Sequence, residues 1–342
     1  MPTASPDQTP PPGAALTQLV FGFSVSMSLS AAAKLRLADK LAEGPQSVAD
    51  LARTTKTHAP SLYRMLRALA SVGVFVEQPD GRFAQTPMSE LLRTGVRGSL
   101  RGIADFSGSE WSWKAWGAFL HSIRTGETAF DHVFGEPCFD YLAKHPDESA
   151  VFNEAMTGFS SNDAPAVAEA YDFSKFGTVV DVGGGHGVLL TTILKAFTTV
   201  RGVVYDAPHV VEGAKEAIRA AGLADRCRTE GGDFFKAVPA GGDAYLMKHI
   251  IHDWPDDRAT TILKNCRKAV NPGGKLLLVE AVIKPGNEPD LGKLIDLEML
   301  VLPSGRERTE VEYAKLFAGA GWRLTRVVPT NSPMQVVEGE PV

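Results

Sequence analysis

The feature that most constrains the fold is an alternation of short apolar segments with helical segments that begins near Gly177. The predicted strands occupy residues 178–182, 201–206, 244–250 and 275–282, and the predicted helices between them occupy 188–197, 210–221 and 259–270. Strands that alternate with helices form a parallel sheet. Two further apolar segments, 322–329 and 334–338, predict a terminal hairpin. We therefore predict an α/β, Rossmann-like domain over residues 161–342.

A glycine-rich turn, Asp181-Val-Gly-Gly-Gly-His-Gly187, directly follows the first predicted strand. Glycine lets the backbone bend tightly and lets a ligand approach it closely, and open α/β sheets bind ligands at the carboxyl ends of their strands. Val188 stands where a dinucleotide fingerprint needs its third glycine, and no Lys-Ser/Thr pair marks a P-loop. We interpret the turn, with Asp181, Gly183 and Gly185, as a site for a ligand with an amino-acid tail. The alternative is a structural tight bend.

Two further acidic residues follow the next strand ends. Asp206 lies nineteen residues after Gly187, where a carboxylate can bind both ribose hydroxyls. Asp233 suits an adenine amino group, with Phe234 stacking beside it. Each acid alone is also compatible with a helix cap or a turn. Together with the glycine turn they predict an adenosine site.

A histidine with two distant acids predicts the chemistry. His252 lies just past a predicted strand, Glu280 ends the following strand, and Glu307 lies in Gly305-Arg-Glu-Arg-Thr309. Carboxylates behind a histidine fix its tautomer and support the imidazolium, as in a general base. A metal site formed by His252 and the aspartates that follow it is disfavoured, because the spacing is unlike H-E-x-x-H. We predict a general base and no metal.

Residues 14–100 predict a mainly helical domain. Its first helix, about residues 16–34, is apolar nearly all round and must therefore be buried. Either the core of its own chain or a second subunit covers it, and we favour the second because the helix follows a Pro-rich segment, residues 1–13. We expect that segment to be a disordered tail.

The rest of this domain has a winged-helix pattern. Helical segments at 47–53 and 60–70 precede an alternating segment, 74–84, that turns at Asp80-Gly81. DNA binding is the familiar function of this pattern, and dimerisation is the alternative. Residues 1–100 contain ten Lys/Arg and seven Asp/Glu, a net charge of +3. That charge is too weak for DNA binding, so we favour dimerisation and expect no nucleic-acid partner.

Residues 101–160 are predicted to be a helical linker region rich in Trp and Phe, which either forms core or lines a pocket for a flat ligand. Cys138, Cys227 and Cys266 lack metal spacing, so we expect reduced thiols and a cytoplasmic protein. By our reading of the sequence, no apolar segment approaches the ~20 residues needed to span a bilayer, so we expect no membrane partner.

These motifs carry a resemblance that covers nearly the whole chain after the tail. The sequence resembles the plant-type small-molecule O-methyltransferases, the caffeate and acetylserotonin group, and especially their bacterial antibiotic-pathway relatives. The motifs concerned are Val179–Gly187, Tyr205–Val210, Gly231–Phe234, Lys248–Trp254 and Gly305–Thr309. The resemblance implies S-adenosylmethionine as methyl donor, a small aromatic acceptor in secondary metabolism, and a homodimer formed through the N-terminal winged-helix domain.

The resemblance also implies residue roles. Gly183 and its loop are implied to hold the methionine tail of the cofactor, and Asp206 to hold the ribose. Asp233 and Phe234 are implied to bind the adenine, and Ser160 and Lys248 to lie near the cofactor. His252 is the base, flanked by Glu280 and Glu307. The residues implied to contact the acceptor are Met156, Asp253, Trp254 and Met299.

Two points stay open from the sequence. Residues 301–304 lack the Asn that faces the acceptor in plant enzymes, so a plant phenylpropanoid acceptor is not implied. Some relatives keep the cofactor site but hydroxylate or decarboxylate their substrate, and a cofactor-sensing DNA regulator is a further alternative. The joint presence of His252, Glu280 and Glu307 favours methylation.

Overall fold

The structure, a computed structural model, describes residues 10–342 as two compact units. The first unit ends at Glu110 and the second spans Trp111–Val342. The boundary divides the region 101–160 that we predicted as one linker. Residues 1–9 of the predicted tail lie outside the described residues, and the first helix already begins at Pro12.

The first unit contains the predicted helix, helix and hairpin. Its elements are α1 (Pro12–Val20), α2 (Gly22–Lys34), α3 (Leu37–Lys40), α4 (Val48–Thr55), α5 (Ala59–Ser71), β1 (Phe75–Glu77), β2 (Phe83–Gln85), α6 (Pro87–Glu90) and α7 (Arg101–Ser107). Ser47 caps α4 by accepting a hydrogen bond from the Asp50 amide at 3.1 Å. Strands β1 and β2 pair in antiparallel fashion around Gly81, whose φ of 77° suits a tight turn.

The apolar N-terminal segment is buried within its own chain only near its C-terminal end, at Ser30, Ala32 and Ala33. The core of its own chain therefore does not cover most of it, contrary to one of our two alternatives. The segment is two helices, α1 and α2, which meet at Phe21. Leu16, Leu19, Val20 and Phe21 each leave more than half of their surface exposed. Our premise that no apolar run is long enough for a membrane was wrong, because the 23 residues Pro12–Lys34 have the length and composition to cross one.

The second unit is a helical segment followed by a large sheet. Its helices are α8 (Glu110–Gly117), α9 (Phe119–Thr125), α10 (Ala129–Phe134), α11 (Cys138–Lys144), α12 (Pro146–Ala170), α13 (Val188–Ala196), α14 (Pro208–Ala220), α15 (Asp256–Ala269), α16 (Leu291–Val301) and α17 (Glu310–Gly319). Its strands are β3 (Thr178–Val182), β4 (Arg201–Asp206), β5 (Cys227–Gly231), β6 (Gly242–Lys248), β7 (Val270–Glu280), β8 (Trp322–Pro329) and β9 (Gln335–Pro341).

The strands of the large sheet lie in the order β5-β4-β3-β6-β7-β9-β8, and this order determines where a ligand crevice can form. Strands β3 to β7 are parallel, and the predicted terminal hairpin, β8 and β9, adds to the edge of β7 in antiparallel fashion. The chain runs outward from β3 in one direction through β4 and β5, and then returns to β6 on the other side. Such a switch point opens a crevice at the carboxyl ends of the strands. Asp181, Asp206, Lys248 and Glu280 all lie at or near these ends.

Candidate active site

The glycine turn is held against the neighbouring strand. The amides of Gly183 and Gly184 donate to the carbonyl oxygen of Tyr205, at 2.8 and 3.2 Å. Gly183 and Gly185 have φ values of 72° and 55°, which favour glycine. A Cβ on Gly183 would collide with the side chain of Ile250, whereas a Cβ on Gly185 would meet nothing within 4 Å. The turn is therefore packed on one side and open on the other, as a ligand cradle requires.

Asp206 is tied directly to this turn. Its Oδ2 accepts a hydrogen bond from the Gly185 amide at 2.8 Å, and its Oδ1 accepts one from the Ala207 amide at 2.6 Å. Burial raises the pKa of Asp206. A hydrogen bond thus connects Asp206, predicted to bind the ribose, to the glycine turn, predicted to bind the methionine tail of the cofactor. The sequence spacing did not predict this contact.

Asp181 supplies a carboxylate with an unused oxygen. The residue is buried, and within residues 10–342 its Oδ2 has no hydrogen-bond partner. Burial, and then the carboxylate of Asp206, raise the pKa of Asp181 to about 7. A buried oxygen without a donor is costly. It fits a ligand that carries an amino group, such as the amino-acid tail predicted from the sequence.

Lys248 and Ser160 lie together, as the resemblance implied, and the structure adds Asp163. Lys248 Nζ is 3.2 Å from Asp163 Oδ2 and 3.4 Å from Ser160 Oγ. Burial lowers the pKa of Lys248, and Asp163 opposes this shift. We missed Asp163, although its position signals its role, because residues 156, 160 and 163 share one face of α12.

Asp233 and Phe234 lie in the segment after β5. Asp233 Oδ1 accepts a hydrogen bond from the Phe235 amide at 2.9 Å, and nearly half of the Asp233 side chain is exposed. Asn265 Nδ2 donates to the carbonyl oxygens of Phe234 and Phe235, at 2.9 and 3.0 Å. Asn265, which we did not predict, therefore fixes the backbone of the adenine candidates.

His252 lies between acids that are distant in sequence. It follows β6 in a short 3₁₀ turn, Ile251–Asp253. Its Nδ1 is 2.6 Å from Glu307 Oε1 and 3.6 Å from Glu280 Oε2. Because Nδ1 faces a carboxylate, its N–H donates a hydrogen bond to Glu307, and Nε2 is therefore the nitrogen that loses or gains a proton. The structure brings the three predicted catalytic residues together.

Glu280 also orients the 3₁₀ turn. Its Oε1 accepts hydrogen bonds from the amides of Ile250 and Ile251, at 3.1 and 2.9 Å. Arg308, fully buried, donates to the carbonyl oxygens of Ile251 and Trp254, at 3.0 and 2.9 Å. We missed Arg308, although it lies in the same motif as Glu307. These contacts fix the position of His252 from both sides.

The acids around His252 outweigh its burial. Burial lowers the pKa of the imidazole, but Glu307, Glu280 and Asp253 together raise it to about 10. Burial also raises the pKa of Asp253 to about 7. Glu280 Oε2 and Glu307 Oε2 have no hydrogen-bond partner in the described part of the chain. Burial raises the pKa of Glu280 as well. The two unpartnered carboxylate oxygens are therefore positioned to accept hydrogen bonds from a ligand.

His249 is a second imidazole beside the base. Its ring centroid lies 4.9 Å from that of His252, and its φ of 54° is left-handed. Burial and then Lys248 lower its pKa to about 3, so it is neutral. His249, His252 and Glu280 have potential metal-ligand atoms within 4.8 Å of one another, a set that the sequence did not reveal. His252 Nδ1 is already bonded to Glu307.

Aromatic side chains pack around Trp254, one of the residues expected to contact the acceptor. The Trp254 ring lies 5.5 Å from Phe139 and 4.7 Å from Phe235, and Phe139 lies 6.1 Å from Phe152. Asp253 Oδ1 is 3.5 Å from His252 Nε2. Met299 is buried on α16, and Met156 is partly buried on α12.

Family models match most of the chain. An O-methyltransferase domain matches residues 116–323, and an O-methyltransferase dimerisation domain matches residues 17–95. The chain belongs to the O-methyltransferase family. It is an S-adenosylmethionine-dependent O-methyltransferase with an N-terminal dimerisation domain. The predicted fold class and cofactor are confirmed.

Individual relatives agree. A phenazine O-methyltransferase, PhzM of Lysobacter antibioticus, is 48% identical over 327 residues, which are 96% of each chain. The crystal structure of LaPhzM matches with a TM-score of 0.94 and 47% identity, over 97% of this chain and all of that one. Human N-acetylserotonin methyltransferase, solved with S-adenosylmethionine, matches with a TM-score of 0.90 and 27% identity, over 98% and 99% of the two chains.

Proposed function

We propose that this enzyme methylates a hydroxyl group of a small aromatic molecule in secondary metabolism, with His252 as general base. One observation carries the proposal: Glu307 Oε1 lies 2.6 Å from Nδ1 of His252, so the proton that this histidine exchanges is the one on Nε2, the nitrogen next to Asp253. The relatives in phenazine, puromycin and mitomycin chemistry support an acceptor of this class.

The geometry supports the following roles. S-Adenosylmethionine supplies the methyl group and, at its sulfonium, a positive charge. We assign the cofactor to Asp181, Gly183, Gly185, Asp206, Asp233, Phe234, Lys248 and Ser160. His252 Nε2 would take the proton of the acceptor hydroxyl, and Glu307 and Glu280 would stabilise the resulting imidazolium. We assign Met156, Asp253, Trp254 and Met299 to the acceptor ring, which they would orient for the reaction, and such orientation can supply roughly 7–11 kcal/mol.

The raised pKa of His252 reduces the free-energy cost of moving a proton from a phenol to the histidine. Between an ordinary phenol of pKa ~10 and an ordinary histidine of pKa ~6.5, proton transfer is uphill by roughly 5 kcal/mol. A histidine of pKa about 10 removes most of that gap. The same histidine is protonated at neutral pH in the free enzyme. A nearby positive charge favours its neutral form and lowers its pKa, so the gap in the complex lies between these two limits.

We therefore expect proton release on binding the cationic cofactor. Below a pH of about 10 the free enzyme carries a protonated His252, and a sulfonium favours the neutral imidazole. Calorimetry at a pH of about 9, in buffers of different ionisation enthalpy, should show more protons released with S-adenosylmethionine than with neutral S-adenosylhomocysteine. The difference should disappear in His252→Ala. Equal release with both ligands in the unmodified enzyme would contradict this role.

A panel of aromatic acceptors with labelled S-adenosylmethionine tests the function itself. We expect a methylated product from at least one phenol, hydroxyindole, hydroxyphenazine or polyketide aromatic. Mass spectrometry of the products distinguishes methylation from the hydroxylation or decarboxylation alternatives. A gel shift at physiological salt tests the DNA-regulator alternative. Cofactor binding without methylation of any acceptor would reject the proposal.

We further propose that the enzyme is a cytoplasmic homodimer. The dimerisation family model includes most of the exposed apolar surface of α1 and α2, and an exposed surface of this kind marks an interaction site. The three cysteines are free and buried, which supports a reducing compartment.

Light scattering at micromolar concentration should give twice the mass of one chain. A Leu19→Lys, Phe23→Lys variant should give the mass of one chain, because it places charge on side chains that are 77% and 54% exposed in the isolated chain. The control is Val311→Lys, which changes an apolar residue of the second unit whose exposure, 64%, lies between those of Leu19 and Phe23. A monomeric unmodified protein would refute the dimer.

A further inference from the structure

Two buried polar atoms close to His252 have no hydrogen-bond partner. Within residues 10–342, these atoms are His249 Nε2 and Glu280 Oε2. Asp163 Oδ2 is 3.7 Å from His249 Nε2, which is beyond hydrogen-bonding distance. Buried polar atoms are normally paired, because burial without a partner is costly. An imidazole nitrogen and a carboxylate oxygen in this state are therefore available to a ligand.

Both residues lie close to His252. His252 Nδ1 is 3.6 Å from Glu280 Oε2, and the centroids of the two imidazole rings are 4.9 Å apart. Each of the three residues offers one possible metal-ligand atom, and these atoms lie within 4.8 Å of one another. Two ligands of one tetrahedral Zn²⁺ are about 3.4 Å apart, because Zn–N and Zn–O distances are about 2.0–2.2 Å. The pair formed by His252 and Glu280 already has nearly this spacing.

The surroundings of these atoms can hold a cation. A proton already lies between His252 Nδ1 and Glu307 Oε1, which are 2.6 Å apart. Burial and then Lys248 lower the pKa of His249 to about 3, so this imidazole is neutral, which is the form that binds a metal. Burial raises the pKa of Glu280, and a metal ion opposes that shift because it stabilises the carboxylate.

We propose that His249, His252 and Glu280 form an inhibitory site for a divalent transition-metal ion. Zn²⁺ suits the site best, because two imidazoles and one carboxylate are a ligand set that it takes in proteins. The ion replaces the Nδ1 proton of His252, which passes to solvent, and it breaks the contact with Glu307.

The bound ion would stop methyl transfer through the second nitrogen of the same ring. An imidazole that binds a metal through Nδ1 keeps its remaining proton on Nε2. Nε2 of His252 then cannot accept the proton of the acceptor hydroxyl. The ion is therefore an inhibitor and not a cofactor. This inhibition rests on the proposed function, whereas the binding of the ion does not.

Calorimetry with Zn²⁺ tests the site without cofactor or acceptor. The full-length chain is freed of metal by dialysis against a chelator and studied at a pH of about 8, because protons compete with the metal. We expect one Zn²⁺ to bind at this site in each chain. His249→Asn suits the left-handed backbone at this position, φ 54°. It should weaken binding about 100-fold, because even the loss of an outer contact to a metal ligand costs roughly 10–100-fold.

A second variant and two controls keep the result clear. Glu280→Gln removes the negative charge, should also weaken Zn²⁺ binding, and decides the test if His249→Asn does not fold by circular dichroism. His121→Asn changes another partly buried histidine, which stacks on His132 with ring centroids 3.9 Å apart, and should leave the affinity unchanged. Mg²⁺, which prefers oxygen ligands, should not bind at this site.

Methyl transfer is measured separately. Zn²⁺ should inhibit the unmodified enzyme, a chelator should restore its activity, and His249→Asn should need at least about 10-fold more Zn²⁺ for half inhibition. No Zn²⁺ binding to the unmodified enzyme, or unchanged affinity in the folded site variants, would overturn the inference. Binding without inhibition would instead count against His252 as the base.

Discussion

The His252→Ala variant should lose about 10²–10⁴-fold in turnover and keep its affinity for S-adenosylhomocysteine. The loss is expected because Nε2 of His252 is the nitrogen left free to accept a proton when Nδ1 donates to Glu307. The acceptor should have an ordinary phenol pKa near ~10, so that it does not ionise unaided. Single-turnover rates with saturating cofactor measure the chemical step directly.

Two companion variants sharpen this experiment. His58→Ala, which changes an exposed histidine of the first unit, should leave turnover unchanged. Glu307→Gln removes an acid that raises the pKa of His252, so the acidic limb of its pH–rate profile should move to lower pH while the maximum rate falls. A His252→Ala enzyme that turned over normally would show that another group removes the proton.

The Asp206→Ala variant should bind S-adenosylhomocysteine roughly 10–100-fold more weakly. Asp206 Oδ2 already fixes the glycine turn through the Gly185 amide, and we assign the same carboxylate to the ribose. A hydrogen bond to a charged group is worth roughly 1.5–3 kcal/mol, which corresponds to this loss. Calorimetry with S-adenosylhomocysteine measures the change without any acceptor.

The matching control is Asp225→Ala, in the exposed segment before β5, which should leave the affinity unchanged. Thermal unfolding without ligand separates a binding defect from a folding defect, because Asp206→Ala should retain a single cooperative transition. Unchanged affinity in a folded Asp206→Ala enzyme would reject the ribose assignment.

The local parts of this site were predictable because they depend on short-range chemistry. The apolar run before Gly183 predicts strand β3, and the glycines after it predict a tight turn. In the structure, Gly183, Gly185 and Gly187 have the positive φ values that such a turn requires. The hairpin of β1 and β2 follows from Asp80-Gly81 in the same way. Strand ends were less accurate: β6 ends at Lys248 and β7 at Glu280, each two residues before the predicted end.

Residues that act through contacts distant in sequence were harder to find. Asn265 and His249 occur in no spacing that marks a ligand. Asp163 and Arg308 lie close in sequence to predicted site residues, but their roles become clear only when their partners from other elements are known. The apolar helices α1 and α2 show the same limit, because an apolar pattern predicts that a surface is covered without identifying what covers it.

The sequence alone determined the parallel sheet, the glycine turn, the acids at successive strand ends and the three catalytic candidates, because periodicity and turn chemistry act over a few residues. Only the tertiary structure decided how those candidates interact. It placed Glu307 at 2.6 Å from His252 across 55 residues of chain and joined Asp206 to Gly185. It also surrounded one imidazole with three carboxylates that raise its pKa to about 10. Burial and proximity between distant segments set such electrostatics, and neither can be read from residue order.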